Sequence, residues 1–117
     1  MEIEHILPQK PTDEIKSSFD KPSEIKNYIK RLGNLALLER SINGAISNKP
    51  FEIKKDSYPK SKFLLTRAIP KQVSVGVNTA IDRAVKDLKS FEEWNSKSIE
   101  ERQEMLTQLA KKVWDMP

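Results

Sequence analysis

Cysteine is absent from the 117 residues. That excludes disulfides, thiol nucleophiles and cysteine-bound zinc. Glycine occurs three times, and no glycine-rich loop that could cradle a nucleotide phosphate is present. No apolar run approaches the roughly 18 residues of a membrane span, and the acidic start MEIEH is unlike a signal peptide. Histidine occurs once, at His5. What remains is 37% hydrophobic and 32% charged, with a net charge of +4 and a pI near 9.3. The length fits one domain spanning 1–117. The composition implies a soluble, intracellular chain whose basic lean suits an anionic partner.

The pattern along the chain predicts two short strands among helices. Ile3 and His5 alternate with Glu2, Glu4 and Ile6, which predicts a strand over Ile3–Leu7 stopped by Pro8. Residues 9–22 read as an excursion holding at most a helical turn. Ser23 is a candidate N-cap for a helix whose buried stripe is Ile25, Tyr28, Ile29 and Leu32, with Gly33 as a left-handed stop. Leu35–Leu38 has the length of a strand. Asn43-Gly44 suits either a tight hairpin turn or a short helix after that strand. Pro50 opens a helix through Phe51, Ile53 and Lys54, ended by Tyr58-Pro59. Further helices are predicted over Phe63–Ile69, over Val77–Leu88 and from Ser98, where Ser98 and Glu101 have capping-box spacing, to Trp114. Phe51, Tyr58, Trp94 and Trp114 are assigned to the core in preference to base stacking.

Three pieces stand in order: Glu4-His5-Ile6-Leu7-Pro8, then Asn34-Leu35-Ala36-Leu37-Leu38, then Asn43, nine residues beyond Asn34. The set resembles the HNH branch of the His-Me finger endonucleases. It resembles most the DUF1524 domain that ends GmrSD-type modification-dependent restriction enzymes. Further matches are Leu32 to Leu35, Ser47 to Phe51, Leu65 to Arg67, Trp94, Ile99, Arg102 and Trp114. The resemblance therefore spans nearly the whole chain. It implies an α+β, helix-rich fold, with a ββα-metal core in about residues 1–50 and a helical remainder.

Phosphodiester cleavage needs a base for the attacking water and charge relief at the phosphate. By resemblance, His5 is the general base. The Asn43 amide and the Glu4 carboxylate hold a hard divalent cation, Mg²⁺ or Mn²⁺, and Asn34 fixes the loop that carries His5. Strand alternation, however, points Glu4 and His5 apart. Asn48 is open as a second helical ligand or a plain cap.

Between Lys49 and Lys71 lie seven Lys or Arg residues and only two acids. Such a run is either a solvated face or a phosphate track. Beside a metal helix it makes Lys49, Lys54, Lys55 and Arg67 candidate DNA contacts. The implied role is a metal-dependent DNA endonuclease domain of a bacterial defence system, acting in the cytoplasm without a membrane. A nucleotide-processing part would lie in a partner domain or subunit. The competing readings are a DNA-binding module of the same fold that is inactive without a partner domain, and a helical interaction domain.

Overall fold

A computed structural model describes residues 1–71 and 88–115. The helix expected over Val77–Leu88 lies almost wholly outside them. Strand β1 (Glu2–His5) leads into helix α1 (Asp13–Ser18), which the Thr12 side chain caps by accepting from Ile15 N. Thus the excursion holds a helix of six residues, more than the single turn expected. Helix α2 (Ile25–Ile29) follows a 3₁₀ turn over Pro22–Glu24, so Ser23 lies inside that turn and is not the cap.

A second 3₁₀ turn, Leu32–Asn34, delivers the chain to strand β2 (Leu35–Leu38). The two strands pair antiparallel, with His5 opposite Leu35 and Glu2 opposite Leu38. Helix α3 (Arg40–Ile46) completes a ββα unit and packs on β1. Asn43-Gly44 is therefore helical, not a hairpin turn. Helices α4 (Phe51–Lys54), α5 (Leu64–Arg67) and α6 (Ser96–Trp114) complete a helix-rich α+β fold.

Apolar burial divides the interior in two. One cluster joins Ile6, Ala36, Leu38, Ile46, Phe51 and Tyr58 beneath the sheet. The other joins Leu7, Ile15, Phe19, Ile25, Tyr28, Ile29 and Ile99 around the excursion. Trp94 packs against both, stacking on Phe51 at 5.4 Å between ring centroids.

Four expectations fail for local reasons. Leu32 is exposed, because the chain leaves α2 before reaching it. Gly33 is needed for close approach, since a Cβ there would strike the Ile99 carbonyl and sit 2.9 Å from Gln103 Cβ. The capping box of α6 belongs to Asn95, whose side chain accepts from Ser98 N, so the helix starts earlier than the Ser98 spacing suggested. At the far end of α6, Trp114 is 88% exposed and belongs to no core.

Candidate functional site

The site is built where β1 ends. Asn34, wholly buried, aims its amide across at the segment after His5. Its Oδ1 accepts from Leu7 N at 2.7 Å and from Trp94 Nε1 at 2.9 Å. Its Nδ2 donates to Leu7 O at 3.0 Å and to Ile29 O at 2.9 Å. The backbone adds Ile6 N to Asn34 O at 2.9 Å. Every polar atom of the amide is used, so removing it would orphan buried backbone groups.

His5 is partly exposed, and no hydrogen bond holds its imidazole among the described residues. Burial lowers its pKa below the usual 6.5, and the Lys54 charge lowers it further. The ring is therefore neutral at neutral pH, with a lone pair free to accept a proton.

Glu4 departs from its expected role. It points inward from β1 and is 2% exposed. One carboxylate oxygen accepts from Tyr58 OH at 2.8 Å and pairs with Lys54 Nζ at 3.0 Å. Burial pushes the Glu4 carboxyl up and the Lys54 ammonium down, each opposed by the partner's charge. Glu4 is thus half of a buried ion pair, its carboxylate occupied by Lys54 and Tyr58 where a metal ligand was expected. Alternation is the cause: the residue that points away from His5 points into the core.

Lys54 is corrected with it. Its side chain has no exposed surface, so it cannot reach a phosphate. The other candidate DNA contacts differ among themselves. Lys49 is exposed. Lys55 sits at the surface beside Glu52, at 3.1 Å. Arg67 is half-buried, and its Nη1 donates to Ser61 O at 3.2 Å and Lys62 O at 2.9 Å.

Asn43 lies on α3, with its Nδ2 donating to Glu2 Oε1 at 2.9 Å. That bond fixes which way the amide faces, because a carboxylate must meet the NH₂ end. The Oδ1 is left buried without a hydrogen-bond partner. An orphaned amide oxygen is a hard donor, and it fits a divalent cation that takes its other ligands from water and phosphate. No group of three or more His, Cys, Asp or Glu that could hold a metal occurs among the described residues. Asn48 is exposed in the turn after α3. No hydrogen bond joins His5 to Asn43.

Sequence reasoning named Lys54, Tyr58 and Arg102 but missed the buried polar contacts they make around Glu4 and Asn34. Arg102, 4% exposed, donates through Nη1 to Gly33 O at 2.9 Å and Leu35 O at 2.6 Å, bracketing Asn34. A signal was present: Lys54 and Tyr58 follow Phe51 at i+3 and i+7, and Arg102 follows Ile99 at i+3. Lys54 and Arg102 thus share a helix face with a buried apolar residue, Phe51 and Ile99, which marks each as inward-facing.

Together the fold and site define a helix-rich α+β domain with a histidine on its first strand, a structural asparagine entering its second and a second asparagine on the following helix. The family model described as GmrSD restriction endonucleases, C-terminal domain, matches residues 1–109, and the chain belongs to that family. Its membership ties it to restriction endonuclease function. No curated protein and no solved structure matches the chain. No helix among the described residues is long and apolar enough to cross a membrane.

Proposed function

We propose that the chain is a metal-dependent DNA endonuclease domain of the HNH type. His5 accepts the proton of the attacking water, a step that needs the neutral imidazole its environment favours. Asn43 Oδ1 would hold a Mg²⁺ or Mn²⁺ ion, which when bound would supply charge relief at the phosphate and at the departing oxygen. Asn34 orients the backbone that carries His5. Lys49, Lys55 and Arg67 meet the DNA backbone, while Lys54 and Glu4 take no direct part.

The observation that carries this proposal is the buried Asn43 oxygen without a partner, on the helix that follows the His5 strand pair. A structural asparagine would satisfy both ends of its amide, as Asn34 does. The chain acts on DNA in the cytoplasm, as one domain, alongside a nucleotide-processing partner domain or subunit.

Plasmid nicking with Mg²⁺ or Mn²⁺, on DNA with and without cytosine modification, tests the proposal. Nicking is expected with metal and none with EDTA. Asn43→Ala should nick more slowly and regain part of its rate at higher metal. Metal-independent nicking, or an Asn43→Ala variant with unaltered metal dependence, would overturn it.

A further inference from the structure

A buried Glu–Lys pair is a poor way to stabilise a core. Desolvating two charges costs about as much as their attraction returns, and apolar residues of similar volume commonly do as well. The position of Lys54 is more informative than its charge. Its ammonium has three protons and three acceptors: Glu4 Oε2 at 3.0 Å, His5 O at 2.8 Å and Ile6 O at 3.2 Å.

Successive carbonyls of an extended strand point to opposite sides. Here two successive carbonyls converge on one nitrogen, which requires the backbone to turn at Ile6, directly after β1 ends at His5. Asn34 holds the following groups from the other side, through Ile6 N and Leu7 N. Tyr58 OH donates to the same Glu4 oxygen that Lys54 pairs with, and so keeps the carboxylate in place.

We propose that Lys54 is a positioning residue for His5. Paired with Glu4 beneath the strand, it draws the His5 and Ile6 carbonyls together and fixes the turn that follows His5, and with it the strand end from which the imidazole projects. The proposal rests on the role given to His5 above, and it assigns the buried lysine a part in that site although it never touches DNA.

Its test replaces the pair without stranding either charge, using Glu4→Gln with Lys54→Met and, separately, Glu4→Leu with Lys54→Met. Ile25→Val, in the other apolar cluster, serves as a control for mild destabilisation. Three quantities are read on the full chain: single-turnover nicking rate, DNA affinity, and the imidazole NMR cross-peaks of His5, unambiguous because it is the only histidine. A folded double variant should nick about tenfold to a hundredfold more slowly, since small displacements of a reacting group cost that much. Its DNA affinity should be unchanged and its His5 cross-peaks shifted, with neither effect in Ile25→Val. A folded double variant with wild-type nicking and unmoved His5 cross-peaks overturns the proposal. So does failure of both double variants to fold, which would make the pair a requirement of folding itself. If the wild-type chain does not nick, the nuclease reading is what fails. The His5 cross-peaks then still decide whether Lys54 sets the position of the ring.

Discussion

Lys54 and Arg102 are both buried cations that gather pairs of backbone carbonyls, one at the end of β1 and the other at the start of β2. Lys54 has the Glu4 carboxylate beside it, whereas among the described residues Arg102 has no carboxylate partner, only two accepting carbonyls and the nearby Tyr58 phenol. Burial accordingly pulls the Arg102 pKa down to about 10. The guanidinium still stays charged at neutral pH, which a lysine without a counter-ion would struggle to do. Arginine can serve where no anion is available, and lysine serves where one is supplied. The difference also says what each deletion leaves behind: a stranded carboxylate under β1, and stranded carbonyls under β2.

Lys54→Met alone should therefore have the largest effect on stability, about 3–5 kcal/mol in urea unfolding, because Glu4 remains buried and unpaired. Adding Glu4→Gln should recover most of that loss. Arg102→Met should cost about 2 kcal/mol, the scale of losing charge-assisted bonds to backbone carbonyls, and Glu4→Gln should not relieve it. Equal losses, or relief of both by Glu4→Gln, would break the comparison.

A smaller effect concerns pH. The folded pKa of His5 lies below its unfolded value near 6.5, so on acidification the unfolded chain takes up this proton first. The His5 contribution to stability is complete above about pH 6.5 and falls as pH drops through the lowered folded value. Thermal melts between pH 7.5 and pH 5 should show wild type losing more stability than His5→Gln. Smallest of all, Trp114→Ala at the exposed end of α6 should change stability by no more than about 0.5 kcal/mol.

Much of the ββα unit was legible because its signals are local. Leu35–Leu38 is short, apolar and bounded, so its limits as a strand match the sequence. Asn34 stands in an ordered pattern that places it beside the loop after His5, and there its amide closes on Leu7. Glu4 was half legible: alternation set it opposite His5, but only the fold could supply the Lys54 and Tyr58 that claim its carboxylate. Lys54 was hidden by composition. In a run of lysines each looks solvated, and only its spacing from Phe51 marks it as the inward one. Gly33 misled because a glycine after an amphipathic stretch signals a helix stop. Its actual constraint comes from Ile99 and Gln103, residues remote in sequence that α6 brings against it.

The proposed function makes His5 the base of a metal-dependent nuclease. It is tested most directly by single-turnover plasmid nicking with Mn²⁺, comparing wild type with His5→Ala and measuring DNA affinity alongside. The account predicts a loss of about 10²-fold or more in nicking, with DNA affinity and fold unchanged. A wild type that cuts DNA together with a His5→Ala variant that cuts it equally fast would contradict it.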